Sequence, residues 1–308
     1  MHSIAKRKKK QFMTNNIPRL TLLSDLIGEF VADTEAAQKA LETGMPRGPI
    51  TGLTRLDETI GGYFATGLHI IQAAPGAGKS AFSLQTAANC RFPCLYLTAE
   101  MSVLELFRRL ISRETETYLG RLKSGELGGK EAMRLALQTV EKLPNFALLD
   151  GTGSYASPKQ ILDVAEALKD RANSPHVLVI IDSIQVWAKT VRGVDTDFVG
   201  ASEYELINAA LSSLSGLAAE LNCPVLAVSH RNRAGNKSND ASLHSAKGSG
   251  EVEYLAESVI DLTRKEEQPD SNGEVEISLK VLKNRHGVPG LNIPLKFCGR
   301  IQKFRETL

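Results

Sequence analysis

Cysteine is scarce, with four in 308 residues, at positions 90, 94, 223 and 298. Their spacing fits neither a disulfide framework nor a paired zinc site. Cys90 and Cys94 flank the start of a strand-like run and read as core residues of a reducing compartment. No apolar run approaches the ~20 residues that cross a bilayer, and the basic N-terminus lacks the apolar stretch of a secretory leader. These absences predict a soluble, cytoplasmic chain with no membrane partner. An excess of charge is missing too: 37 Lys and Arg oppose 35 Asp and Glu, a formal +2. Five of the cations form Lys6-Arg-Lys-Lys-Lys10, ahead of the first acid, Asp25, and without them 32 face 35. The overall field therefore draws in no nucleic acid, and any such site must be a local channel. There is no internal repeat. At 42% hydrophobic residues the chain can bury a sizeable core, as one large domain or two small ones.

What is present centres on Leu68-His-Ile-Ile-Gln-Ala-Ala-Pro-Gly-Ala-Gly-Lys-Ser80. An apolar, β-compatible run enters a glycine-bearing turn, and a helix-like run follows from Ser80 through Ala88. Strand, loop and helix in that order are the context that makes a phosphate-binding motif a structural statement. Successive backbone N–H groups in such a turn surround phosphate oxygens, and the helix start adds its free N–H groups and positive dipole end. The predicted nucleotide cradle is Ala74, Pro75, Gly76, Ala77, Gly78, Lys79, Ser80 and Ala81. Lys79 would reach the β/γ-phosphates of ATP, and the Ser80 hydroxyl would hold Mg²⁺. Ala73 stands where the usual pattern begins with glycine.

Along the chain, residues 1–18 read as a basic, solvated tail, with phosphate contact as the second reading. Residues 19–46 hold an amphipathic helix and a linker. Leu23, Leu26, Ile27, Phe30 and Val31 fall at the i, i+3, i+4, i+7, i+8 spacing of one helical face. That stripe must be covered, either by its own ATPase core or by a neighbouring subunit. From 47 to 308 strand-like runs (68–73, 93–98, 145–149, 177–182, 224–229) alternate with helix-like runs (79–89, 102–113, 128–142, 157–171, 202–221). The alternation predicts an α/β fold with a mainly parallel sheet flanked by helices. Residues 257–264, 275–283 and 292–298 read as strands that extend the sheet with antiparallel hairpins.

Two further motifs carry chemistry. Val177-Leu-Val-Ile-Ile-Asp182 is an apolar run ending in one acid, the pattern of a buried central strand whose carboxyl end meets a ligand. Asp182 there can hold the water shell of Mg²⁺. Glu100 directly follows the strand after the P-loop helix. It would lie beside the γ-phosphate and orient the attacking water if that strand neighbours the P-loop strand.

Together these residues resemble the DnaB-like bacterial replicative DNA helicases, a group of RecA-type hexameric motors, over about residues 45–305. Thr51-Gly-Leu-Thr-Arg-Leu-Asp57 is similar to the family's opening segment, and Ala73-Ala-Pro-Gly-Ala-Gly-Lys-Ser80 to its P-loop, alanine included. Glu100-Met101 is similar to its catalytic glutamate and the next residue, and Asp182 to its Walker-B aspartate. The resemblance implies a RecA-like P-loop NTPase core. It places His230 where the family carries a γ-phosphate-sensing glutamine. It also places Lys247 at a DNA-contacting arginine and Gly250 at a glycine of the channel loop, and Lys283 and Arg285 at the pair that reaches a neighbour's nucleotide. A histidine can donate to phosphate but titrates near neutrality, and a lysine keeps charge without the bidentate fork. The family's N-terminal collar, which binds primase, has no counterpart expected in the residues ahead of 47. The helix near 21–41 is similar in place to the linker helix that docks on the adjacent subunit.

The loop 231–250 carries Arg231, Arg233, Lys237 and Lys247 among Gly, Asn and Ser, with no aromatic for base stacking. It would follow phosphates without reading sequence. The expected activity is an ATP-dependent hexameric helicase that moves on single-stranded DNA through a central channel, with a loader or primase as a further partner. A non-motor RecA-class ATPase, either a strand-exchange recombinase or a regulator acting through protein contacts, is the alternative.

Overall fold

The computed structural model describes residues 20–193, 198–231, 254–265 and 268–307. It divides into two compact units, one ending at Arg47 and one beginning at Gly48. In the first, a 3₁₀ turn over Leu23–Leu26 leads into helix α1, Ile27–Thr43. Gly44 ends α1 in the left-handed conformation at φ 65°. Leu23, Ile27, Phe30, Val31 and Leu41 are all exposed.

The second unit is a nine-stranded sheet. In chain order its elements are α2 (Thr54–Thr59), β1 (Gly67–Ala73), α3 (Lys79–Asn89), β2 (Cys94–Thr98), α4 (Val103–Thr115), α5 (Leu119–Ser124), α6 (Gly128–Lys142), β3 (Phe146–Asp150), α7 (Pro158–Arg171), β4 (Leu178–Asp182), α8 (Ile184–Thr190), α9 (Glu203–Leu221), β5 (Pro224–His230), β6 (Ala256–Arg264), β7 (Glu274–Asn284), β8 (Asn292–Cys298) and β9 (Lys303–Glu306). Helix starts follow local chemistry: Ser157 and Ser202 each accept from the backbone three residues on while Gln160 and Glu205 reach back. Pro158 occupies the first turn of α7, where its missing N–H costs nothing.

Spatial order is β3-β2-β4-β5-β1-β6-β7-β8-β9. The first six strands run parallel, and β7 to β9 add antiparallel to the far edge. The central parallel strands β2, β4, β5 and β1 are buried on both faces, as crossover helices require, while β3 at the edge is only partly buried. Val179 and Ile181 face one apolar layer with α7, α8 and α9, while Leu178 and Ile180 face another with α2, α3 and α4. The expected antiparallel extension is present, but its first member, β6, is parallel to β1. Cys90, Cys94 and Cys223 are buried free thiols. Among the described residues no helix is long and apolar enough to cross a membrane.

Candidate functional site

Parallel topology delivers the carboxyl ends of β1, β2, β4 and β5 to one edge, where helices begin and ligands of such sheets bind. The P-loop leaves β1 at Ala73, whose side chain is fully buried and whose backbone is extended, paired with His230 and Leu262. No left-handed conformation is needed there, so alanine serves in place of glycine. Gly78 is different. Its φ is 91°, and a Cβ would come within 3.0 Å of the Phe304 ring. The loop thus rests on an aromatic wall in which Phe304 meets Phe82 edge-on at 5.3 Å and stacks on Phe297 at 4.3 Å. Gln85 on α3 bonds both the N–H and the C=O of Phe304, at 2.8 and 3.0 Å, and fixes that wall to the helix.

Lys79 is buried and folds back over the loop, its Nζ 3.4 Å from the Ala74 carbonyl. Burial lowers its pKa, opposed by the negative charges of Asp182 and Glu100. Asp182 ends β4 and is 2% exposed. Burial raises its pKa, while hydrogen bonds from Ser80 and Tyr96 stabilise the carboxylate. Tyr96, fully buried in β2, donates to Asp182 Oδ2 at 2.7 Å and lies 2.8 Å from Ser83 Oγ. The Ser80 hydroxyl and Asp182 carboxylate are hard oxygen donors beside a phosphate turn. Among the described residues no cluster of three or more His, Cys, Asp or Glu could hold a metal. That donor set fits Mg²⁺, which keeps most of its waters and takes few protein ligands.

Glu100 reaches this edge by a route the sequence does not show. β2 does not neighbour β1; β4 and β5 lie between them. The condition set on the Glu100 assignment is therefore unmet, yet the side chain extends past the tip of β4 toward that of β5. Ser183 Oγ donates to Glu100 Oε1, and His230 Nε2 donates to the same oxygen at 2.8 Å. The His230 hydrogen bond, followed by that of Ser183, pulls the Glu100 pKa down to about 2 against its burial. Gln185 on α8 anchors the end of β5 by accepting from the His230 N–H at 3.1 Å and donating to Ser229 Oγ at 2.8 Å. A carboxylate held this low orients water well and accepts a proton poorly.

Arg231 requires a correction. Expected on a channel loop, its side chain is 5% exposed and paired with Asp261, itself 1% exposed. Nε donates to Asp261 Oδ1 at 3.0 Å, and Nη2 donates to Oδ2 and, at 2.7 Å, to Thr263 Oγ1. Gln72 Nε2 donates to the same carboxylate at 3.1 Å. The guanidinium joins β5, β6 and β1, and burial withholds it from a nucleic acid. Arg233, Lys237, Lys247 and Gly250 lie outside the described residues.

Lys283 and Arg285 stand apart from the nucleotide edge. In register, Lys283 pairs with Val259 and Asn284 with Ser258, which pairs with His69. This is toward the amino end of β1, where His69 lies four residues, about 13 Å at ~3.3 Å per residue, from Ala73. Sequence reasoning missed Tyr96, Ser183 and Gln185. The first carried a signal, a hydroxyl amid the apolar run of β2 that demands a buried partner.

Comparison with known proteins places this arrangement among relatives. The family model described as "DnaB-like helicase C terminal domain" matches residues 48–306. The replicative DNA helicase DnaB of Treponema pallidum (strain Nichols) is 30% identical over 291 residues, covering 92% of this chain and 61% of the relative. The chain thus spans about three fifths of that relative's length. A DnaB-like replicative helicase solved in a study of its interactions with primase superposes with a TM-score of 0.73 at 22% identity, over 93% of this chain and 67% of that one. A KaiC-like protein from the hyperthermophilic archaeon Pyrococcus horikoshii gives 0.56 at 18% identity, over 85% and 100%. Both share the RecA-like fold.

Proposed function

The chain belongs to the DnaB-like helicase C-terminal domain family, and from that premise we propose that it is the ATP-hydrolysing motor of a replicative DNA helicase. It works as a homo-oligomeric ring of six copies around single-stranded DNA, in the cytoplasm. The observation that carries this reading is one cluster: the P-loop lysine, a buried Asp182, and Glu100 hydrogen-bonded to His230 at 2.8 Å.

Residues 74–81 cradle the phosphates of ATP and Lys79 neutralises the β/γ oxygens. Ser80 and Asp182 would hold Mg²⁺, which when bound offsets charge on the transferring phosphoryl group. Glu100 orients the attacking water. His230 senses the nucleotide: when its N–H turns to a γ-phosphate oxygen, Glu100 loses the hydrogen bond that depresses its pKa and regains basicity. Hydrolysis and nucleotide presence are thereby linked through one proton donor.

Arg285 lies at the opposite end of the sheet from its own P-loop, which supports its action, with Lys283, on the nucleotide of a neighbouring copy. An arginine supplied this way contributes ~10³–10⁵ in rate in other NTPases. The exposed stripe of α1 docks on an adjacent subunit. Arg233, Lys237, Lys247 and Gly250 contact the DNA backbone in the channel, and a loader or primase joins the assembly.

The test is ATP hydrolysis with and without single-stranded DNA, with Lys79→Ala as the blank. DNA stimulation of wild type that vanishes in the variant supports the motor. Hydrolysis indifferent to DNA overturns it and points to a regulatory ATPase.

A further inference from the structure

The turn after β7 is held by a carboxylate that the nucleotide cluster does not use. Glu257 Oε1 accepts from Arg285 Nη1 at 2.7 Å, and Oε2 accepts from His286 Nε2 at 3.1 Å. The Arg285 N–H donates to the Glu257 carbonyl at 3.0 Å, and Nη2 donates to the Tyr254 carbonyl at 2.5 Å. Two local devices aim this carboxylate. The β1–β6 register steps from Leu68–Ala256 to His69–Ser258, so Glu257 is the extra residue of a β-bulge. Bulges re-aim a side chain out of the strand's alternation. Opposite it stands Gly67 at φ 135°, where a Cβ would lie 2.5 Å from Glu257 Cγ. Glycine is thus required both for backbone conformation and to admit the acid.

The turn's backbone has separate anchors. Asn284 Nδ2 donates to the Thr59 carbonyl at 2.7 Å, and Asn284 Oδ1 accepts from the His286 N–H at 3.1 Å. The turn's backbone is therefore held without the Glu257 carboxylate, whose two oxygens go to the tips of the Arg285 and His286 side chains. Glu257 lies behind, 17% exposed, while Arg285 faces outward at 48%.

We propose that Glu257 is a positioning residue for Arg285, presetting the guanidinium for the phosphates of a neighbouring copy. This rests on the trans-acting reading of Arg285 given above. The guanidinium has five N–H groups, and the contacts to Glu257 and Tyr254 engage two, leaving three for phosphate oxygens. A preset cation avoids ordering a long side chain at the moment of reaction, and a misplacement near 1 Å can cost ~10²-fold.

The test measures DNA-stimulated ATP hydrolysis of the full chain for Glu257→Gln, Arg285→Ala and the double variant, with thermal melting and sizing chromatography of each. Gln offers one oxygen where Glu257 offers two. The expected result for Glu257→Gln is a kcat lower by ~10- to 100-fold, with KM for ATP within about threefold and assembly retained, because the contact matters in the transition state. In the Arg285→Ala background the second substitution should change nothing further, the non-additivity of groups that act through one another. An unchanged or raised kcat for Glu257→Gln, beside a crippled Arg285→Ala, overturns the positioning role alone. Lost assembly or early melting of Glu257→Gln marks a structural brace and also overturns it. If Arg285→Ala hydrolyses normally, the trans-acting reading itself is wrong, and this inference goes with it.

Discussion

Replacing Tyr96 with phenylalanine deletes one oxygen from the interior and leaves the ring stacked near Phe146 at 6.4 Å. The lost contact is the 2.7 Å donation to Asp182 Oδ2. A hydrogen bond to a charged acceptor contributes about 1.5–3 kcal/mol. At about 1.4 kcal/mol per tenfold, that is one to two decades in whatever equilibrium depends on the Asp182 carboxylate. Burial already pushes the Asp182 pKa up, so losing this donor pushes it further and weakens the anion on which the proposed Mg²⁺ site depends. Loss of an outer partner typically costs a metal site ~10–100-fold in affinity, the same range. The assay is steady-state hydrolysis against free Mg²⁺ at saturating nucleotide. The half-saturating Mg²⁺ should rise ~10- to 100-fold, and kcat should recover at high Mg²⁺. An unchanged Mg²⁺ dependence, or a deficit that excess Mg²⁺ leaves in place, would show that the Tyr96 hydroxyl does not act through Asp182.

Arg231→Ala strands Asp261, 1% exposed, without its cation. Breaking such a pair costs about 3–5 kcal/mol, or roughly 6–20 °C in Tm for a domain of this size. Melting should register that loss; a channel residue would instead leave Tm in place and flatten the salt dependence of DNA binding. Asp57 accepts from the Thr51 and Gly52 N–H groups at 2.7 and 3.0 Å and from Thr51 Oγ1 at 2.8 Å. Burial nevertheless raises its pKa from 3.8 to about 6. The protonated form is therefore favoured in the folded state. Its stabilising contribution is full below 3.8 and is lost as pH rises through about 6. Melts from about pH 4 to about pH 8 should show wild type losing several degrees across that window relative to Asp57→Asn; parallel curves would refute it.

The parts of this fold that could be read in the sequence are those whose physics is contiguous. The P-loop announces itself because strand, turn and helix follow one another within about twenty residues, and Asp182 because five apolar residues precede it. Strand order is not contiguous, so the distance between β1 and β2 could not be read, and Glu100 reaches His230 by a path alternation does not encode. The short helices α2, α5 and α8 span six or seven residues, too few for a 3.6-residue period to declare itself. Arg231 was misread because a charge just past a strand looks solvated. The corrective signal was Asp261, an acid set between Ile260 and Leu262 in the apolar stretch of β6, since a buried carboxylate requires a nearby cation or donors.

β6 joins the P-loop strand to the strand that leads to Arg285. It pairs parallel with β1 on one side and antiparallel with β7 on the other. That reversal of direction carries Arg285 to the end of the sheet away from its own P-loop. Near its carboxyl end Asp261 binds Arg231, the residue after His230, so this strand is tied to the tip of β5 by a buried charge pair. At its amino end Glu257 binds Arg285. Four residues separate the two acids, about 13 Å of extended strand, and both of its neighbours are hydrogen-bonded along most of that length. An all-parallel sheet would place the loops that follow its strands on one edge. One inverted hairpin puts the P-loop and Arg285 at opposite ends of the sheet, and the proposed action of Arg285 on a neighbouring copy rests on that placement.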